Sequence, residues 1–352
     1  MLGKLKSLLK SENRLYDFEE LLLKVKSVAQ KGGKLVLCPE NTDANWLGIK
    51  NATLAMYPNQ SVCIPQSFSQ QVVSDDELKT LFTAFKNEGG NSIILSGFPK
   101  YFEKIIFIGN ELGVKVSLIY HGGLSELTGN KNRQVELGEI NDHFKSGRLD
   151  NLGIVKSGIE SAFTGYNKKV YPVYPISRQA NTEGEGNVSL KENVIHIGIF
   201  GNSSFNKNRH TQVCAGLLVP NSVIHIVGVN EFSYLNLDDR IVVHAQMEQE
   251  EFKHLLSKMN VNLYCSYSES WGQVFVESLL GNVPCVVGMN SSLVDVFYED
   301  MPELFVTQND NPVAIARQIE GILVKPNDTY LKQVETIQKE IDVNNQLFLT
   351  NC

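Results

Sequence analysis

Short runs of β-branched and apolar residues alternate along the chain with segments whose apolar positions recur every three or four residues. In the first half the runs predict strands near Leu35–Cys38, Ser61–Ile64, Ile93–Leu95, Val116–Tyr120 and Leu152–Val155. Helical patterns lie between them, as in Leu15–Ala29, where Leu15, Phe18, Leu22, Val25 and Ala29 share one face. Apolar strands joined by crossover helices imply a parallel sheet covered on both faces, so the fold class is α/β. The polar stretch Ser177–Asn193 interrupts the rhythm and reads as a linker, or alternatively as a long surface loop within one domain. Strands then resume near Ile195–Phe200, Val223–Val227, Ile241–His244, Val261–Cys265 and Pro284–Val287, with a helix over Gln249–Met259. Past Pro326, the spacing of Leu331, Val334, Ile337 and Ile341 predicts one more amphipathic helix, opened by the capping-type residues Asn327 and Asp328.

A chain of 352 residues fits two such domains: 1–176, a linker over 177–192, 193–325, and a terminal helix over 326–352. With 42% hydrophobic and 20% charged residues, collagen-like, wholly disordered and polytopic membrane classes drop out. The six cysteines lie far apart without a C-x-x-C pair, which argues against a zinc ribbon, a thioredoxin-type site or a disulfide scaffold. Reduced thiols in a cytoplasmic protein are expected. Lys4, Lys6 and Lys10 break the leucines of the first ten residues, so no secretory signal is read, and no run approaches a transmembrane span. The net charge of −7 is uneven: residues 1–172 hold 21 Lys and Arg against 18 Asp and Glu, and the remainder 11 against 21. Without a sustained basic stripe, nucleic acid is not an expected partner.

The chemistry concentrates in Ser268-Glu269-Ser270-Trp271-Gly272-Gln273-Val274-Phe275-Val276-Glu277-Ser278, which follows a predicted strand and runs into a helix. A helix beginning near Gly272 turns its free N–H groups and dipole toward Glu269, making a site for anionic phosphate, and glycine permits close backbone approach. Glu277, within the helix, can accept hydrogen bonds from vicinal hydroxyls such as those of ribose. The bland alternative is an amphipathic helix with two exposed glutamates.

This segment resembles the E-x7-E signature of retaining glycosyltransferases of the GT-B fold, family 4 in particular, and the likeness continues into Gly281-Asn282-Val283-Pro284-Cys285-Val286. The resemblance implies two Rossmann-like domains facing a cleft, with a nucleotide-sugar donor, UDP-sugar first, on the C-terminal domain and the acceptor on the N-terminal one. It implies that Glu269 contacts the donor sugar, that backbone around Gly272, Gln273 and Val274 holds the diphosphate, and that Glu277 holds the ribose. A second match, Gly201-Asn202-Ser203-Ser204-Phe205-Asn206-Lys207, resembles the family's G-R-L-x-x-x-K loop, whose two cations neutralise the diphosphate. Lys207 holds the lysine position, Asn202 replaces the arginine, and Arg209 is a candidate for the missing charge. The stretch Val242–Met247 resembles the family segment whose last residues meet the base through backbone, which points to Met247. Tyr120-His121-Gly122-Gly123 resembles an HG element presented to the sugar, and Pro39–Trp46 is a candidate acceptor loop.

The expected activity is retaining transfer of a sugar to a hydroxyl of a glycan, lipid-linked or protein acceptor, with Glu269, Lys207 and His121 as catalytic candidates. The resemblance implies a reaction without cofactor or bound metal, and no D-x-D triplet or His cluster contradicts that, Asp238-Asp239 reading as an acidic turn. The alternative is a non-catalytic GT-B-like subunit that binds a sugar nucleotide or a glycoprotein; a sugar-nucleotide epimerase would share the cleft. The terminal helix is expected to cross back onto the first domain. Leu2, Leu5, Leu8 and Leu9 share one helical face flanked by lysines, which suits peripheral contact of residues 1–10 with the inner face of a membrane, or packing on the first domain.

Overall fold

The computed structural model describes residues 16–41, 46–66, 72–163, 169–178, 190–235, 240–324 and 328–352. The leucine-rich residues 1–10, the tip 42–45 of the candidate acceptor loop, most of the linker, Asp238-Asp239 and Asn327 lie outside them.

Local sequence starts and stops the helices as capping chemistry requires. Asp17 accepts from the backbone N–H groups of Glu19 (2.9 Å) and Glu20 (3.2 Å), opening α1 (Phe18–Gly32), and Gly33, at φ 70°, closes it. Ser74 and Glu77 form a reciprocal capping box at the head of α3 (Asp75–Asn87). The other helices of this half are α2 (Leu47–Met56), α4 (Phe102–Glu111) and α5 (Lys131–Lys145).

They flank a parallel sheet of β1 (Lys34–Asn41), β2 (Ser61–Gln66), β3 (Ser92–Ser96), β4 (Lys115–Tyr120), β5 (Asn151–Ile154) and β6 (Lys169–Pro172), in the order β2-β1-β3-β4-β5-β6. The second sheet contains β7 (Ile195–Ile199), β8 (Ser222–Val227), β9 (Ile241–His244), β10 (Val261–Tyr264), β11 (Cys285–Gly288) and β12 (Phe305–Val306), in the order β12-β11-β10-β7-β8-β9, again parallel. Its helices are α6 (Arg209–Leu218), α7 (Gln249–Ser257), α8 (Gln273–Leu280), α9 (Leu293–Phe297) and α10 (Pro312–Leu323). The two domains are Rossmann-like and face each other across a cleft.

Edge strands β6 and β12 were absent from the predicted pattern. The first reads Lys-Val-Tyr-Pro and the second is two residues long, so neither forms an apolar run. One hydrophobic cluster takes in Val36, Ile94 and Ile119 from the first sheet, Ile197 and Leu263 from the second, and Val334, Ile341 and Phe348 of α11 (Asp328–Asn351). This last helix lies against the first domain: Asn345 exchanges hydrogen bonds with the backbone of Tyr174 (2.8 and 3.2 Å), Phe348 meets Tyr171 edge-on, and Lys34 caps the helix at the Thr350 carbonyl (2.7 Å). Among the described residues, no helix is long and apolar enough to cross a membrane.

Candidate active site

In an open parallel sheet, ligands sit beyond the carboxyl ends of the strands where the strand order reverses. In the second sheet that point falls between β7 and β10, which are neighbours although far apart in sequence. The loop after β7 carries Gly201–Lys207, and the loop after β10 carries Cys265–Gly272, so topology alone brings the two sequence motifs together.

The contact is direct. The Lys207 ammonium donates to Glu269 Oε1 and, at 2.9 Å, to the hydroxyl of Tyr264, while lying over the Tyr264 ring. Both side chains of the ion pair are largely sheltered, at 16% and 14% exposure, so Glu269 is not a solvated surface glutamate. Burial disfavours the charge on Lys207, but Tyr264 and Glu269 outweigh it and hold the ammonium above its ordinary range. Gly201 has the lysine stem beside it: an added Cβ would lie 3.6 Å from that side chain. Tyr264 had no signature in sequence, and only the strand register places it.

Gly272 starts α8 with φ 136° and no side-chain cap; the Phe275 N–H turns back onto the Gly272 carbonyl (3.1 Å), which leaves the N–H groups of Gln273 and Val274 for a ligand. A Cβ here would come within 2.9 Å of Leu293 Cδ1, a second reason for glycine besides its backbone angle. Gln273 accepts a hydrogen bond from Ser177 Oγ (2.5 Å), and Val274 packs into the core. One and a half turns along, Glu277 accepts from Gln249 Nε2 (3.2 Å) and lines a cavity of about 460 Å³ between α2, residues 176–178, α7 and α8. Burial, reinforced by Glu250 and opposed by Lys253, pushes its carboxyl up to about 7.

The other candidates separate. Asn202 accepts from the Ser204 backbone N–H (3.1 Å) and hydroxyl, a local turn with no positive charge. Arg209 is buried and held by other partners: its guanidinium lies 3.3 Å from Glu231, donates to the Val229 carbonyl (3.3 Å) and sits over Phe232. Met247 packs its side chain into a small cluster with Phe200, Leu255 and Val274.

From the first domain, His121 follows β4. Its Nε2 pairs with Ser96 Oγ (2.9 Å), which bonds Thr53 Oγ1 (2.6 Å), and burial lowers the imidazole to about 4, keeping it neutral at physiological pH. The next glycines reach across the cleft: a Cβ on Gly123 would lie 3.8 Å from the Ser270 nitrogen. Trp46 lies over Gly97, itself at φ 82°. Three further cross-domain contacts were not foreseen. Tyr174 stacks on Trp271 (5.1 Å, 14°), Ser157 bonds Ser292, and the Lys156 ammonium donates to the Asn290 carbonyl (3.1 Å).

Two residue pairings also escaped the sequence. His196, His225 and His244 form a hydrogen-bonded row across β7, β8 and β9 with 2.9 Å links. Cys38 and Cys63 face each other in register on β1 and β2, sulfurs 3.4 Å apart and both thiols free. Among the described residues, no group of three or more His, Cys, Asp and Glu is placed to hold a metal ion.

Residues 201–340 match the family model described as glycosyl transferases group 1. Among curated proteins none matches the chain in sequence. In structure, the chain is similar to sucrose-phosphate synthase from Thermosynechococcus elongatus, with a TM-score of 0.65 at 14% identity, covering 90% of this chain and 98% of that one. It is similar to Anabaena HepE, solved in complex with UDP and glucose, with a TM-score of 0.62 at 13% identity over 90% and 94% of the two chains. A glycosyltransferase from Rickettsia africae gives a TM-score of 0.60 at 13% identity, covering 91% and 96%. At these identities the likeness is one of fold. The chain thus has the GT-B architecture, and the matching sequence lies in its second half, residues 201–340.

Proposed function

We propose that the protein is a retaining glycosyltransferase that moves a sugar from a nucleotide-sugar donor, UDP-sugar first, to a hydroxyl of a glycan, lipid-linked or protein acceptor. The observation that carries the proposal is the sheltered Lys207–Glu269 pair at the uncapped head of α8, with the His121-Gly122-Gly123 loop of the first domain against it. The match over residues 201–340 and the UDP-bound state of HepE support it.

Each residue has a chemical task in this reading. The first-turn N–H groups of α8 and the Lys207 ammonium stabilise the diphosphate as charge grows on it during departure, the step where preorganised donors have most effect. Glu269 exchanges part of its contact with Lys207 for hydroxyls of the donor sugar. Glu277 accepts from the ribose hydroxyls, with Gln249 fixing its carboxylate. Thr53 donates to the Ile49 carbonyl and Ser96 to Thr53, so neutral His121 gives its one N–H to Ser96 and offers Nδ1 as an acceptor to a hydroxyl of the sugar or acceptor from the opposite wall. We propose that protein donors, not a bound metal, carry the charge of the departing diphosphate.

Asn202 favours a second reading, a non-catalytic subunit that binds a sugar nucleotide, because a cation of the family loop is absent there. Incubation with UDP-sugars and candidate acceptors separates the two. Nucleotide release with a product of unchanged anomeric configuration by proton NMR supports transfer; binding without release under all acceptors supports the subunit.

A further inference from the structure

A nucleoside diphosphate sugar brings two negative charges, and a third develops on the phosphate that leaves. The Lys207 charge is already met by Glu269, so that pair is close to neutral as a unit. Asn202 contributes no charge, and Arg209 is committed to Glu231 and the Val229 carbonyl. The second domain therefore offers this anion the α8 head but little uncompensated positive charge.

Lys156 supplies what is missing, from the other side of the cleft. It lies just past β5, at the carboxyl end of the first sheet, in a segment whose geometry is fixed. Val155 donates to the Tyr120 carbonyl (3.1 Å), and Ser157 donates its backbone N–H to Ser292 Oγ (2.8 Å) and shares its hydroxyl with Tyr174 (3.0 Å). The Lys156 ammonium spends one donor on the Asn290 carbonyl at 3.1 Å, and that same oxygen receives the Glu269 backbone N–H at 3.4 Å. Lys156 thus stands one carbonyl away from the Glu269 backbone. Its carboxylate count is zero: among the described residues it forms no ion pair, which is unusual for a half-buried lysine. Burial lowers its affinity for the proton, with Asp295 and Glu269 opposing, as expected of an ammonium that lacks a close counter-ion. An ammonium carries three donors, so two remain for a ligand. The two loops that meet at Asn290 add an independent sign of a polar ligand, since the buried hydroxyls of Ser266, after β10, and Ser291, after β11, have no hydrogen-bond partner among the described residues.

We propose that Lys156, from the first domain, is the second cation of the diphosphate site, taking the part that the second domain leaves to Asn202. The inference rests on the donor reading given above and extends it: the domains must be together for the anion to be fully bound, and the same contact holds them together.

The test is calorimetric titration of the full chain with UDP, GDP and ADP, and with the matching nucleosides, for the parent, Lys156→Met, Lys156→Arg and Ser157→Ala. Lys156→Met should weaken the preferred diphosphate at least tenfold and leave its nucleoside within twofold, because a charged hydrogen bond is lost at the phosphates only. Lys156→Arg should recover most of the affinity. Ser157→Ala removes one cross-domain hydrogen bond, that of its hydroxyl to Ser292 Oγ (3.1 Å), without changing charge, and should stay within twofold of the parent, which separates anion binding from simple bridging. Parental diphosphate affinity in Lys156→Met, or equal losses in Lys156→Met and Ser157→Ala, would overturn the assignment while leaving the donor site intact. If the parent binds none of the three diphosphates, the donor reading falls and this inference falls with it.

Discussion

Replacing Lys207 by Met keeps the stem that packs beside Gly201 but removes the ammonium that lies over Tyr264. Glu269 is then left at 14% exposure without its cation. Breaking a buried pair from one side costs ~3–5 kcal/mol, and the residual exposure here puts the expected loss at the lower end, about 3 kcal/mol. The double variant Lys207→Met/Glu269→Gln removes the charge on both sides and should return to within ~1 kcal/mol of the parent. Function should not follow stability. If Lys207 stabilises the departing diphosphate, single and double variants alike lose ~10²–10³ in turnover, the usual effect of removing one such donor. Urea unfolding monitored by the fluorescence of Trp46 and Trp271, beside nucleotide-release kinetics, measures both. A single variant as stable as the parent would show that the pair carries no burial penalty. A double variant with parental turnover would remove Lys207 from the chemistry.

Burial raises the Glu277 carboxyl to about 7, so its contribution to stability is complete below its unfolded value of 4.5 and is lost as pH rises toward 7. Glu277→Gln should therefore stabilise the ligand-free protein at pH 8 relative to pH 4.5, by up to about 2 kcal/mol after allowance for partial exposure, yet weaken diphosphate-nucleotide binding; a variant that binds as well as the parent contradicts the ribose assignment. His225 is lowered from 6.5 to about 3, chiefly by burial and then by its two histidine neighbours, so its contribution to stability is complete above pH 6.5 and is lost as pH falls toward 3. Urea titrations between pH 7.5 and 5 should show a slope ~1 kcal/mol per pH unit smaller in His225→Asn than in the parent, and an equal slope refutes the reading. Gly272→Ala meets both a left-handed backbone and Leu293, so it should cost at least ~1 kcal/mol and weaken UDP binding; a neutral effect on both would show that the α8 head tolerates displacement.

Much of this architecture is legible because parallel strands buried on both faces are written as apolar runs, which sequence shows plainly. Strand β6 fails that test with a lysine and a proline, and β12 is too short to have a pattern. The Lys207 and Glu269 loops could be found because each follows a buried strand, and adjacency of β7 and β10 then joins them. Arg209 shows where spacing stops being informative: two residues past Lys207, the turn through Asn208 at φ 51° begins α6, and the guanidinium points into the packing of Glu231 and Phe232. Lys156, Ser157 and Tyr174 have no signature at all, since their partners are more than 90 residues away and belong to the other domain. The histidine row is invisible for the same reason, since its members are separated by whole strand-to-strand connections.

The central claim is that a nucleoside diphosphate binds between Lys207 and the head of α8. Amide hydrogen exchange of the full chain with and without saturating UDP, GDP or ADP tests it residue by residue. The account predicts added protection at the first amides of α8, Gln273 and Val274, and in the 201–208 loop, and none at the far ends of the two sheets. Protection confined to another region, or no change at those amides while the nucleotide is bound, would contradict it.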